Sequence, residues 1–114
     1  MTHAEALARL DGRGRKKLEN NTYLERRGDS ENSPIAVRLH DTDVVTIYPD
    51  GTYELNRGGW QTVTTKDRIN RYSPARLCQK NYQWFLWSGE DKVYFRDRIT
   101  VDAGGNVIEP ARAR

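Results

Sequence analysis

The feature that most constrains the fold is a turn signal flanked by two strand-like runs. In VVTIYPDGTYELN, residues 44–56, the turn residues Pro49, Asp50 and Gly51 separate two segments rich in β-branched and aromatic side chains. Proline suits the first turn position, aspartate the second, and glycine the left-handed position that closes a hairpin. The pattern therefore predicts an antiparallel β-hairpin at the centre of the chain.

Further segments also have strand character. IAVRLH, residues 35–40, places apolar side chains at every second position, which is the period of a strand with one buried face. In NYQWFLWS, residues 81–88, Trp84 and Trp87 fall on opposite faces, so one of them is expected in the core. The other predicted strands are TYLERR, WQTVTT and KVYFRDRITV.

Two short helices are predicted by their capping residues. Thr2 and Glu5 have the spacing of a capping box at the N-terminus, and Thr64 and Asp67 repeat it at the start of TTKDRINRY. The fold class predicted is α+β, predominantly antiparallel β, with six or seven short strands in hairpins and one or two short helices.

The chain of 114 residues suits one domain. Charged residues make up 31%, but three Trp, six Tyr and two Phe supply the buried area of a small core. The predicted organisation is a short helix and basic linker at 1–20, a single β-rich domain at 21–109, and a flexible tail at 110–114.

Charge is distributed unevenly along the chain. Residues 1–27 carry a net charge of +3, residues 28–56 carry −5, and residues 57–98 carry +5. A bipolar surface results if the fold keeps these segments apart.

Cysteine content and hydropathy bear on the compartment. Cys78 is the sole cysteine, so no internal disulfide forms, as suits a reducing cytoplasm. No apolar run approaches the length of a membrane span, so we expect a soluble, cytoplasmic protein with no membrane partner.

Catalytic residues, cofactors and metal ions are not predicted. Cys78 and His40 have no supporting motif, and a buried, inert thiol is the favoured interpretation. The run from His40 to Asp43 offers ligands for a divalent ion, but a turn with Asp41 or Asp43 bonded to the backbone is favoured. We therefore expect a protein that is not an enzyme, with a metal-dependent nuclease using Asp41 and Asp43 as a remote alternative.

Nucleic-acid binding is predicted as one function class, because basic residues cluster around the predicted helix TTKDRINRY and along the predicted strand KVYFRDRITV. The candidate residues are Arg57, Lys66, Arg68, Arg71, Tyr94, Arg96 and Arg98. The last three alternate along KVYFRDRITV, which would place one aromatic ring and two guanidinium groups on one side of a strand for DNA or RNA. The alternative is a solvated face whose arginines pair with the acidic middle segment.

Trp60 follows Gly58 and Gly59 and has two interpretations. A tryptophan exposed on a turn is a typical anchor for a partner. The favoured interpretation is a bend that folds the indole back over the core.

The segment from Asn20 to Asn70 resembles a family of small uncharacterised proteins of actinobacteriophages and actinobacteria. The resemblance lies in NNTYL, AVRLHDTDVVT, PDGT and GGWQTVTTKDRIN, and covers residues 20–70. It implies a phage or prophage accessory protein in a bacterial cytoplasm, and it carries no assigned activity or site residue.

The combined expectation is a phage binding protein. Its partner is expected to be a host bacterial protein, for example a defence component such as a CRISPR effector that it inhibits. The alternative is a nucleic-acid-binding module, and the oligomeric state stays open.

Overall fold

The computed structural model describes residues 1–108, and these form two helices and nine strands. In chain order the elements are α1 (His3–Leu10), β1 (Arg15–Glu19), β2 (Thr22–Arg26), β3 (Ile35–Leu39), β4 (Thr42–Ile47), β5 (Tyr53–Leu55), α2 (Val63–Tyr72), β6 (Leu77–Lys80), β7 (Gln83–Ser88), β8 (Asp91–Tyr94) and β9 (Ile99–Val101). The tail predicted at 110–114 lies outside the described residues.

A six-stranded antiparallel sheet forms the larger layer. Strands β1 to β5 follow one another as a meander, and β9 pairs with β5 at the end of the sheet. The hairpin predicted between β4 and β5 is confirmed, because the Tyr48 N–H donates to the Thr52 carbonyl at 3.0 Å. Gly51 adopts a φ of 90°, the left-handed conformation that the turn requires.

The smaller layer is the three-stranded antiparallel sheet β6-β7-β8. One of its faces contributes Leu77, Trp84 and Leu86 to the same core as the large sheet. Trp87 is 38% exposed, so the prediction that the two tryptophans of β7 lie on opposite faces is confirmed. Helix α2 packs against both β4 and β6 and joins the two layers.

The predicted fold class, α+β with mostly antiparallel strands, is confirmed, and the described residues divide the β structure into nine strands. The capping box of α1 is also confirmed: Thr2 Oγ1 accepts from the Glu5 N–H at 3.1 Å, and Glu5 Oε1 accepts from the Thr2 N–H at 2.8 Å. Neither helix is long and apolar enough to cross a bilayer, within the described part of the chain.

The linker predicted before residue 21 is wrong for residues 15–19, which form β1. This strand pairs with β2 along one side only and is an edge strand of the large sheet. Edge strands tolerate charged side chains on both faces, so the run RKKLE lacks the apolar alternation by which strands are recognised.

The strand predicted at WQTVTT is also wrong. Helix α2 begins at Val63, and Thr62 rather than Thr64 is its N-cap. The Thr62 hydroxyl oxygen accepts a hydrogen bond from the Thr65 N–H at 3.1 Å. Threonine side chains serve strands and helix caps alike, so local composition does not distinguish the two.

KVYFRDRITV forms two strands in different sheets rather than one strand. After β8 the chain turns at Arg96–Arg98, where the Ile99 N–H donates to the Arg96 carbonyl at 3.2 Å, and it then joins the large sheet as β9. Arg98 has a φ of 69°. The Asp97 carboxylate accepts from the Arg57 N–H at 3.0 Å, a contact across 40 residues that the local pattern does not reveal.

Glu25 of β2 is the centre of a charge cluster on the large sheet. Its carboxylate lies 3.1 Å from Arg15, 2.7 Å from Arg27 and 3.2 Å from Arg38, and its side chain is 11% exposed. The guanidinium carbon of Arg15 lies 4.0 Å from the ring centre of Tyr23. One nearly buried carboxylate therefore holds three arginines, which come from β1, from β3 and from the position that follows β2.

We expect Glu25→Gln to lower the free energy of unfolding by about 2 kcal/mol, because three cations would lose their shared anion while remaining partly solvated. Urea unfolding measures the change. The matched control is Asp43→Asn, which removes a more exposed partner of Arg27 alone and should cost at most about 1 kcal/mol. Equal losses in the two variants would contradict a central role for Glu25.

Candidate functional site

The loop at 56–62 connects β5 to α2 and has a tightly constrained backbone. Gly58 and Gly59 have φ values of 60° and 84°. A Cβ at Gly58 would lie 2.4 Å from Oγ1 of Thr42, so this position combines a left-handed backbone with a close approach to β4. The Trp60 N–H closes the turn by donating to the Arg57 carbonyl at 2.9 Å.

Trp60 is 67% exposed, so the interpretation that its indole covers the core is wrong. The positive φ angles of Gly58 and Gly59 let the loop close on itself, and Trp60 consequently lies on the surface. The alternative interpretation, a tryptophan exposed on a turn, is the one that the geometry matches.

A groove with a volume of about 630 Å³ opens beside this loop. Buried Leu39 and Val44 of the large sheet line it, together with Trp60 and Thr65 from the loop and helix α2. Its polar lining comes from the β1–β2 and β3–β4 turns, from the loop and from the N-terminal half of α2. The groove thus offers an apolar patch surrounded by hydroxyl, amide, imidazole, carboxylate and guanidinium groups.

Trp60 is part of an exposed apolar surface that also includes Val63 and Tyr82, which are 78% and 87% exposed. We call these three residues the Trp60 surface. The Gln61 side-chain amide donates to the Tyr82 carbonyl and thereby ties the loop to the β6–β7 turn. Sequence reasoning missed Val63 and Tyr82, because both were assigned to strands instead of a helix start and a turn.

Tyr82 occupies a strained position. It follows Asn81 in a two-residue hairpin turn, and φ is 53° at Asn81 and 65° at Tyr82. Such turns favour Asn-Gly, and a left-handed conformation costs a residue with a Cβ about 1–2 kcal/mol. The conformational energy that this backbone costs is not offset by burial, because the Tyr82 side chain is exposed. Strained positions of this kind occur often at functional sites.

Arg57 of the predicted set also lies at the groove. Its guanidinium donates to the Gln61 side chain, lies 3.5 Å from Asp97, and stands 5.6 Å from the ring centre of Phe95. These contacts hold the arginine in one place beside the Trp60 surface.

Arg68 and Arg71 do not form the outward basic face that was predicted. Nη1 of Arg68 lies 2.6 Å from Asp67 and 3.3 Å from Glu19, and its side chain is 11% exposed. Arg71 lies 3.1 Å from Glu19 and 3.2 Å from Asp67. Helix α2 therefore presents two arginines that are both neutralised by the same two acids, Asp67 of α2 and Glu19 of β1.

Tyr94, Arg96 and Arg98 do not share one strand face, contrary to the prediction. Tyr94 ends β8 and is 56% exposed, whereas Arg98 lies beyond the turn and pairs with Glu54 at 3.5 Å. Arg96 is exposed within that turn, and Lys66 is half-buried on α2. The predicted residues are therefore spread over several surfaces of the molecule.

The other candidate groups lie in separate elements. Cys78 is in β6, while His40 is in the β3–β4 turn. The Asp43 carboxylate accepts from Arg27 at 3.0 Å and 2.6 Å, so an arginine occupies both of its oxygens. Within residues 1–108, no three His, Cys, Asp or Glu side chains come together as a group that could hold a metal ion.

Comparison with known proteins places the chain near one family. A family model described as Kyanoviridae Gp96 protein matches residues 3–102, a range that contains every helix and strand from α1 to β9. No curated protein and no solved structure matches the chain. The expected affiliation with phage proteins is confirmed, and the actinobacterial origin stays a prediction.

Tyr72 of α2 provides a spectroscopic test of the contacts that Glu19 makes with Arg68, Arg71 and Tyr72. Its hydroxyl donates to Glu19, and burial together with this hydrogen bond raises the pKa of Tyr72 to about 12. Because the unfolded chain loses this proton near the usual value of 10.0, stability from this group is complete below that pH and is lost as the pH rises towards 12.

We therefore expect Tyr72→Phe to remove the most alkaline component of the tyrosinate absorbance titration and to flatten the loss of stability in this window. Tyr82→Phe, at an exposed position, serves as the control and should leave that component in place. Six tyrosines that titrate together at their ordinary pKa would contradict the assignment.

Proposed function

The chain belongs to the Kyanoviridae Gp96 family of phage proteins, and on this premise we propose that it acts in the host cytoplasm by binding a host protein through the Trp60 surface. The proposed action is non-enzymatic, and the proposed partner class is a defence component, of which a CRISPR effector is one example. The partner would insert an apolar side chain into the groove beside Trp60.

The observation that carries this proposal is the exposure of Trp60 at the rim of the groove. Its indole is 67% exposed although the residue sits in a loop held by hydrogen bonds on both sides. Tryptophan, tyrosine and arginine dominate the binding energy of protein interfaces. Trp60, Tyr82 and Arg57 bring all three types to one place.

Preorganisation supports the same proposal. The Gln61–Tyr82 hydrogen bond and the Arg57–Asp97 pair fix the positions of the exposed residues before any partner arrives. A rigid surface loses less conformational entropy on binding, so more of the contact energy contributes to affinity.

Binding is favoured over catalysis by the state of the carboxylates. Glu19, Glu25 and Asp43 are each held by arginines at distances of 2.6 to 3.3 Å. Carboxylates paired in this way are committed to the fold, whereas a general acid or base needs a free lone pair and a substrate beside it.

We expect Trp60→Ala to weaken binding to the host partner about 30-fold or more, the loss typical of a central hot-spot residue. Affinity purification from nuclease-treated host lysate identifies proteins retained by the wild-type chain and not by the variant. Titration calorimetry with the purified partner then measures the change in Kd.

Tyr82→Gly is the more informative companion variant. It relieves the left-handed tyrosine, so we expect the turn to become more stable by about 1 kcal/mol in urea unfolding while binding weakens. Tyr94→Ala, an exposed tyrosine on the small sheet, is the matched control and should bind as the wild type does. A Tyr82→Gly variant that is more stable and binds equally well would refute a role for this surface.

A further inference from the structure

The outer face of the small sheet, which points away from the core, forms a second surface. Leu77, Trp84 and Leu86 face the core, so the alternate residues of these strands lie on the opposite side. We call this side the β6–β8 face, and it is defined by Arg76, Lys80, Phe85, Trp87, Lys92 and Tyr94.

Strand register arranges this face in rows. Phe85 pairs with Tyr94 of β8 and with Cys78 of β6, so these three side chains form one row across the sheet. Trp87 pairs with Lys92 in the neighbouring row, and its N–H donates to the Arg76 carbonyl at 3.2 Å. The aromatic rings therefore lie in adjacent rows, at the spacing of neighbouring residues on a sheet surface.

The side chains of this face pack against one another around Phe85. It is only 7% exposed although it does not belong to the core cluster. The ring of Trp87 contacts it edge-on at 5.5 Å between centroids, and Nζ of Lys92 lies 4.4 Å from its ring centre. Phe85 thus supports Trp87 and Tyr94, which are 38% and 56% exposed.

The charge on this face has one sign. Within residues 1–108, no carboxylate forms an ion pair with Lys80, Lys92 or Arg76. The Arg76 guanidinium donates to the Gly104 and Trp87 carbonyls, which hold it beside Trp87 and leave its charge without a counterion among these residues. Asp91 pairs with Ser88, which places it in a row on the opposite side of the sheet. These cations differ in this respect from Arg68 and Arg71, which acids neutralise.

We propose that the β6–β8 face binds single-stranded nucleic acid, with bases stacked on Trp87 and Tyr94 and phosphates near Lys92, Lys80 and Arg76. Exposed aromatic rings that alternate with cations lacking a carboxylate partner on a strand surface match the two repeating groups of a single strand, the base and the phosphate. A duplex keeps its bases stacked on one another and offers no free ring surface to Trp87. This site is distinct from the Trp60 surface and shares no residue with it.

The test is fluorescence anisotropy with labelled oligothymidylate and oligouridylate of about 12 nucleotides, at low salt. We expect Tyr94→Ala to weaken binding at least about fivefold, the lower bound for loss of one stacked base. Tyr82→Ala removes a still more exposed tyrosine outside this face and should bind like the wild type. Equal affinity of Tyr94→Ala and wild type would overturn the proposal, as would the absence of binding to either oligonucleotide.

Salt dependence tests the phosphate contacts separately. Each phosphate contact to a single strand contributes about 0.7 to the slope of log affinity against log salt, so Lys92→Gln should reduce the slope by about that amount. Lys66→Gln on α2 is the control with the same charge change. A slope that falls equally in both variants would overturn the assignment of the phosphates to this face.

Tryptophan fluorescence locates the bound strand. In a Trp60→Phe background, the remaining indoles are Trp84, which is buried, and Trp87, so quenching by the oligonucleotide reports stacking on Trp87. Binding without quenching, or a preference for duplex over single strand, would place the nucleic acid elsewhere and overturn the proposal. An acidic protein that binds this face and is not displaced by the oligonucleotide would assign the face to a protein partner and overturn the proposal.

Discussion

The packing of helix α2 against both sheets is the contact on which the rest of the structure depends. Ile69 is completely buried in the common core, and the Asn70 side chain exchanges two hydrogen bonds with the backbone of Leu77, at 2.9 Å and 2.8 Å. The small sheet has only three short strands and buries one face against this helix and the large sheet. Without α2 it would lose the support that orients both its turn at Tyr82 and its outer face.

The arrangement of charge follows from the same packing. Arg68 and Arg71 share one side of α2, and β1 brings Glu19 to both of them. Arg98 and Arg27 likewise pair with acids from the middle segment, Glu54 and Asp43. The uneven distribution of charge along the chain is therefore largely cancelled in space, and aromatic side chains become the distinguishing surface feature.

Much of the fold could be predicted because its signals are local. The Pro49–Gly51 turn, the alternation in β3 and the capping box of α1 each depend on residues within a few positions of one another. The errors occurred where a distant contact decides between two local alternatives. β1 is a strand because it pairs with β2 at an edge, and the run after β8 changes sheets where Asp97 meets Arg57.

The candidate sites divide in the same way. The sequence by itself determined which chemical groups are present: arginine-rich segments, a tryptophan after two glycines, and a strand with two apolar faces. Only the tertiary structure decided which of these groups are free. Arginines that looked available are paired with acids far away in sequence, and Trp60 is exposed because its loop closes on itself. Availability depends on neighbours in space, and for these residues the neighbours come from other elements of the fold.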